Sequence, residues 1–215
     1  MTAHDDRQRR LTRDALAALT GTDFALAGAG AIREHGITDR PTQDVDLFTA
    51  SIDPDRFTAA VDQLGTALTA AGYAVETLRR SATFARLVAR TSDGAALEVD
   101  LAADWRSSEP VTLAVGPVLA LADAVGSKLG ALYSRAETRD FLDVDAIRRS
   151  GRLTDAQLLT ILADRDPGFD RRAFAGQLDL VRQVTDGEAE RYGVNAEQLA
   201  DVRQRLTAWA QELRG

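Results

Sequence analysis

Along residues 5–20, Leu11, Ala15, Leu16 and Leu19 recur at helical spacing with polar residues between them, and Gly21 follows the last turn. That pattern predicts an amphipathic helix. Phe24-Ala25-Leu26-Ala27 is a short apolar run, read as a buried strand, which passes into Gly28-Ala29-Gly30 and a short helix ending near Gly36. After the polar turn Thr38-Asp39-Arg40-Pro41, alternation from Gln43 to Thr49 predicts a second strand. Asp53 as N-cap and Pro54 in the first turn open the next helix. Phe57, Ala60, Val61, Leu64, Leu68 and Ala71 keep its period, and Gly72 ends it. Strands follow at about 73–79, 82–91 and 95–103, with a further one near 111–115. Ser92-Asp93-Gly94, between two of them, is a hairpin signal.

Beyond Pro117 the spacing is helical throughout, over 118–132, 138–150, 154–164, 169–184 and 195–213. Thr154 with Gln157, and Asn195 with Gln198, have the spacing of capping boxes. Leu199, Val202, Leu206, Trp209 and Leu213 form a stripe down the last helix. The expected fold class is therefore α+β: an α/β core over 1–115 with a mixed sheet flanked by helices, then a C-terminal helical bundle over 116–215.

Composition narrows the chemistry. The 215 residues include no cysteine, which excludes disulfides, thiolate metal sites and cysteine nucleophiles. Two histidines, His4 and His35, make a histidine zinc site a poor fit. The net charge of −7 argues against a general nucleic-acid coat protein, although a local basic groove remains compatible with it. Met1 to Arg10 is polar with both charge signs, and no apolar run has membrane length. A cytoplasmic protein without a membrane partner is expected. Lys128 is the single lysine; every other basic side chain apart from the histidines is arginine.

Candidate chemistry starts in the second strand. Side chains alternate across a strand, so Val45 and Leu47 share one face and Asp44 and Asp46 the other. Two like charges side by side repel, and a hard divalent cation such as Mg²⁺ or Mn²⁺ compensates them. Leu97-Glu98-Val99-Asp100-Leu101 repeats the pattern, so a neighbouring strand could add Asp100 to make a three-carboxylate metal cluster. Polar residues on a half-buried strand give the same alternation. Gly28-Ala29-Gly30, between a strand and a helix, offers backbone N–H groups to a phosphate. Tight packing of helix on strand explains the same glycines. Arg33 occupies the third glycine position of the dinucleotide fingerprint, and no P-loop GK[ST] follows.

The order of these parts is distinctive. Leu26-Ala27-Gly28-Ala29-Gly30-Ala31, followed by Arg40-Pro41-Thr42-Gln43-Asp44-Val45-Asp46-Leu47, resembles the first motif of the AbiEii/AbiGii-type nucleotidyltransferase toxins. That family, which includes the mycobacterial MenT group, lies in the DNA polymerase β-like superfamily. Lys128-Leu129-Gly130-Ala131-Leu132, Arg135 and Arg139-Asp140-Phe141 with Asp143 resemble its later motif block. Together the blocks span about 25–148; the last 60 or so residues carry no matching motif. Ala29 departs from the family pattern, which has glycine or serine there.

The resemblance implies a metal-dependent nucleotidyltransferase with an NTP as co-substrate and a cognate antitoxin. It implies Asp44 and Asp46 as metal ligands with Asp100 as the third, and Lys128 and Asp140, brought by the helical part, as catalytic residues. Gly28, Ala29, Gly30, Arg40 and Lys128 would bind the nucleotide. Asp143 lies on the same helical face as Asp140; an Arg139–Asp143 ion pair is the structural alternative. Thr42 matches a hydroxyl that the resemblance marks for regulatory phosphorylation. The MenT likeness implies transfer from a pyrimidine triphosphate to the 3′ end of tRNA. Arg79, Arg80, Arg86 and Arg90, and then Arg135, Arg139, Arg148 and Arg149, are candidate RNA contacts or solvated surface. Transfer to a small hydroxylated molecule, as in antibiotic nucleotidyltransferases, and a catalytically silent binding role are the alternatives.

Overall fold

The computed structural model describes residues 3–42 and 44–215. Two compact units are present: the described residues of Met1–Glu34 with Thr42–Ala120, and His35–Pro41 with Leu121–Gly215.

In the first unit, helix α1 (Ala3–Ala18) leads to β1 (Ala25–Leu26), α2 (Gly28–Glu34), β2 (Asp44–Thr49) and α3 (Pro54–Ala70). Strands β3 (Ala74–Arg80), β4 (Phe84–Arg90), β5 (Ala96–Ala103), β6 (Val111–Leu113) and β7 (Gly116–Val118) complete it. All seven form one mixed sheet in the order β3-β4-β5-β2-β1-β7-β6. β2 runs parallel to β5, while β1–β2, β3–β4 and β4–β5 are antiparallel. The expected start of β2 at Gln43 lies outside the described residues.

Capping fixes where α3 begins. Asp53 has an extended backbone, and its carboxylate accepts from the N–H groups of Asp55 and Arg56 at 3.0 and 3.2 Å. The helix then buries Phe57, Ala60, Val61, Leu64 and Leu68, the apolar period read from the sequence. Leu11, Ala15, Leu16 and Leu19 of the α1 segment are likewise buried. β2 alternates as expected: Val45, Leu47 and Thr49 are buried, whereas Asp44, Asp46 and Phe48 are half-buried.

The second unit holds α4 (Leu121–Ser134), α5 (Thr138–Arg149), α6 (Asp155–Arg165), α7 (Arg171–Asp179), a 3₁₀ turn at Leu180–Gln183, α8 (Asp186–Glu190) and α9 (Ala196–Arg214). Phe141, Leu158, Leu162, Phe174, Leu206 and Trp209 fill its core, with Phe174 edge-on to Trp209 at 5.4 Å between ring centroids.

Two expected helix boundaries are corrected. The helix expected from residue 118 starts at Leu121, because Val118 pairs with Leu26 in the sheet and the Leu119 N–H is bonded to the Leu26 carbonyl at 2.9 Å. The helix expected over 169–184 ends at Asp179 and continues as the 3₁₀ turn. Helix α8 was not expected, although Thr185 and Glu188 have capping-box spacing and make both reciprocal bonds. Among the described residues, no helix is long and apolar enough to cross a membrane.

Candidate active site

The first unit brings four acids together by register. In the parallel β2–β5 ladder, Asp44 stands opposite Glu98 and Asp46 opposite Asp100. Neighbouring strands lie about 4.8 Å apart, so these carboxylates share one patch of one sheet face. In the antiparallel β4–β5 ladder, Arg86 stands opposite Asp100. Arg86, Asp100 and Asp46 are therefore abreast on three adjacent strands.

Arg86 grips Asp100 with both arms of its guanidinium. Its Nε and Nη2 donate to the two carboxylate oxygens at 2.7 and 2.6 Å, and its Nη1 lies 3.2 Å from Glu98 Oε2. The hydrogen bond to Asp100 raises the Arg86 pKa above its ordinary value despite burial, with added support from Glu98 and Asp44. Among the described residues, no three acid or imidazole side chains converge closely enough to hold a metal ion. Asp100, one of the three expected ligands, is committed to the Arg86 guanidinium.

Asp46 is seated against Gly28. A Cβ built on Gly28 would lie 1.7 Å from Asp46 Oδ2, 2.6 Å from its Cγ and 2.9 Å from its Cβ. Gly28 also has φ +57°, a conformation that side chains other than glycine adopt at a cost. The Ala27 N–H donates to the Asp46 carbonyl at 2.8 Å, tying the start of α2 to the strand. Gly30 sits close to a different neighbour: a Cβ there would lie 3.0 Å from Leu26 Cδ1, in line with the close-packing explanation. The N–H groups of Gly28, Ala29 and Gly30 precede the first intrahelical bond, from the Ala31 N–H to the Ala27 carbonyl at 2.9 Å, and all three residues are buried. Asp44 and Asp46 are carboxylates on one strand face, the oxygen donor type that suits a hard cation.

Thr42 is 2% exposed, and its hydroxyl finds no hydrogen-bond partner among the described residues. Its carbonyl is bonded to His4 Nε2 at 2.9 Å.

In the second unit, α5 carries three buried acids, each matched to a base. Asp143 is fully buried and takes two cations. The Lys128 Nζ is 2.8 Å from its Oδ2, and Arg40 donates from Nε and Nη2 at 2.9–3.0 Å. Arg40 also lies 5.2 Å from the centroid of the Tyr192 ring. Arg139, the partner that helical spacing suggested for Asp143, instead lies 3.0 Å from Glu137. Asp140 accepts a fork from Arg135 at 2.9 and 3.1 Å and caps α5 by accepting from the Glu137 N–H at 3.2 Å. Asp145, which the sequence did not single out, accepts a fork from Arg205 at 2.7 and 2.8 Å.

Most of the candidate RNA-contacting arginines have protein partners. Arg80 is 2.7 Å from Asp62, Arg79 stacks over Phe84, and Arg148 bridges to Asp155 while lying 4.3 Å from the Trp209 ring centroid.

A family model described as "Nucleotidyl transferase AbiEii toxin, Type IV TA system" matches residues 9–213. The chain belongs to the AbiEii nucleotidyltransferase toxin family. It is thus a nucleotidyltransferase of a toxin–antitoxin family, as the two sequence blocks implied. Among solved structures it is similar to JHP933 from Helicobacter pylori, at 15% identity and a TM-score of 0.59, covering 99% of this chain and 95% of that one. It is similar also to MenT4, a nucleotidyltransferase toxin from Mycobacterium tuberculosis, at 18% identity and a TM-score of 0.59, covering 99% and 89%. At these identities the likeness speaks for the fold alone, which is α+β. Comparison with curated proteins gave no match.

Proposed function

We propose that this AbiEii-family chain transfers the nucleotidyl group of an NTP, a pyrimidine triphosphate by likeness to the MenT group, to the 3′ end of tRNA, and that a cognate antitoxin restrains it. The observation that carries the catalytic part is the seat of Asp46 on Gly28 beside Asp44. Asp44 and Asp46 would hold a divalent cation, Mg²⁺ or Mn²⁺. Such a cation supplies Lewis-acid polarisation of phosphate oxygens and an acidified hydroxyl.

The chain's own residues do the rest. Gly28 leaves room for the Asp46 carboxylate, which a Cβ at that position would strike. Lys128 and Arg40 supply positive charge suited to a triphosphate: a compact ammonium and a planar fork. Asp143 fixes both, so that neither loses rotamer freedom when an anion arrives. The backbone N–H groups of Gly28, Ala29 and Gly30 are the remaining phosphate donors in this reading. In the overall reaction an acceptor hydroxyl displaces pyrophosphate from the α-phosphorus, and charge stabilisation carries most of the rate. Asp140, bound to Arg135 and capping α5, would be a further active-site acid in this reading, held by that helix's N-terminal turn.

Incubating the purified chain with α-labelled NTPs, total RNA and a panel of small hydroxylated acceptors tests this. Label at the 3′ end of tRNA, strongest with a pyrimidine triphosphate, is expected. Label confined to a small acceptor would make the chain an antibiotic-type enzyme, and no label with any acceptor would make it a binding member of its module.

Thr42 gives a second test. Thr42→Val is expected to fold and act normally, since it removes a buried hydroxyl that has no partner among the described residues. Thr42→Glu, which adds charge two residues from Asp44, is expected to lower transfer at least about tenfold. Full activity in the glutamate variant would count against a charge switch here.

A further inference from the structure

We propose that Gln8 is a positioning residue for Asp44: with His4 it stands in for a strand beside the start of β2 and fixes the backbone that carries the first acid. This rests on the reading that Asp44 acts in transfer.

The two edges of β2 are unequally supported. On one edge it pairs with β5 along its whole length, from Asp44 to Thr49. On the other edge β1 is two residues long and meets only Leu47 and Phe48. Among the described residues, no strand flanks the acidic start of β2 on that side. Carbonyls two residues apart in an extended chain point to the same edge, so those of Thr42, Asp44 and Asp46 need partners there. The Asp46 carbonyl accepts from the Ala27 N–H at 2.8 Å, just past the end of β1. The other two are met from α1. Gln8 Nε2 donates to the Asp44 carbonyl at 3.0 Å, and His4 Nε2 lies 2.9 Å from the Thr42 carbonyl. A carbonyl can only accept, so His4 carries a hydrogen on Nε2 in this contact.

The spacings match. Four residues of helix rise about 6 Å, and two residues of strand about 6.6 Å. His4 and Gln8, one turn apart on α1, thus present donors at nearly the period of the carbonyls they meet. Gln8 is fully buried, and both ends of its amide are engaged: Oε1 accepts from Arg33 Nη2 on α2, which turns the NH₂ group toward Asp44. A buried amide keeps such an orientation because leaving either end unmet is costly. α2 is also the helix that opens at Gly28, the seat of Asp46. Gln8 therefore ties the helix behind one acid to the backbone of the other. Strand ends are where backbone opens first, and removing Gln8 takes away the bond on the edge opposite β5.

Gln8→Met, close in size but without the donor, tests this beside Thr12→Val. Thr12 lies one turn further along α1, is buried, and donates to the Gln8 carbonyl at 2.9 Å, so its loss disturbs the same helix but leaves the Gln8 amide in place. Gln8→Met is expected to speed amide hydrogen exchange at the start of β2 at least about tenfold, with β3 and β4 unchanged. In transfer from a labelled NTP to total RNA it should lower kcat at least about tenfold while KM for the NTP moves less than about threefold. Thr12→Val should melt below the wild type yet keep wild-type exchange in β2 and wild-type kcat. His4→Phe, at a half-buried position, carries the test if Gln8→Met does not fold, and faster exchange at the start of β2 is expected there too. Wild-type exchange in β2 in folded Gln8→Met, or failing that in His4→Phe, would overturn the proposal. So would faster exchange with wild-type kcat, or a Thr12→Val variant that reproduces both changes. Wild-type transfer by Asp44→Ala would instead bring down the reading of Asp44, and this inference with it.

Discussion

Asp46→Ala is expected to reduce nucleotidyl transfer at least about 100-fold with little change in far-UV circular dichroism, and Gly28→Ala is expected to produce the same loss. The two substitutions act on one oxygen from opposite sides. Asp46 is half-buried on a strand whose hydrophobic contacts come from Val45 and Leu47, so truncating it spares the core. Gly28→Ala adds a Cβ 1.7 Å from Asp46 Oδ2. Because that Cβ would also lie 2.9 Å from the Asp46 Cβ, rotating the carboxylate does not clear the conflict, and the helix start must shift from the strand. Alanine at φ +57° adds about 1–2 kcal/mol of backbone cost. Transfer rates with labelled NTP, set beside thermal melting, separate the effects. Gly28→Ala should melt a few degrees lower, whereas Asp46→Ala should melt near the wild type. Wild-type transfer in Gly28→Ala would show that the seat of Asp46 is immaterial.

How much of this was legible depended on the range of the interaction. Alternation placed Asp44 with Asp46 and Glu98 with Asp100, because side-chain direction in a strand is a local property. That β2 and β5 are neighbours is a conjecture from the repeated pattern, and the ladder supplies both the pairing and its parallel direction. The Arg86–Asp100 pairing was within reach of the sequence. In the hairpin around Ser92-Asp93-Gly94, Arg90 faces Ala96, and counting back four residues on each arm brings Arg86 to Asp100. Without the register, Arg86 reads as a candidate RNA contact or solvated surface and Asp100 as a metal ligand, and nothing pairs them. Gly28 looked like a phosphate turn, and its immediate steric reason, the Asp46 carboxylate, lies on another element. The Arg40–Asp143 bond spans 103 residues and leaves no local trace. Helical spacing offered Arg139 instead, a guess that ignores burial: Asp143 lies on the inner face of α5 with Asp140, Val144 and Ile147.

Asp143→Ala is expected to be the most destabilising single substitution among the acids of α5, by about 3–5 kcal/mol, the range for removing one partner of a buried ion pair. Its carboxylate is fully buried, and it is shared by Lys128 and Arg40, whose side chains are 8% and 9% exposed. Alanine leaves two cations in a poorly solvated site, and the chain can relieve this only by extruding them. Loss of Arg40→Ala alone should be milder, because Lys128 still balances Asp143. Once Asp143 is gone, removing Arg40 as well should restore part of the lost stability, since one unpaired cation leaves with it. Urea unfolding followed by fluorescence of Trp209, buried in the same unit, in a Trp105→Phe background, reads all three variants and their coupling. A double variant that falls by the sum of the single losses would mean that Arg40 and Asp143 act independently, and that the bond between them contributes no net stability.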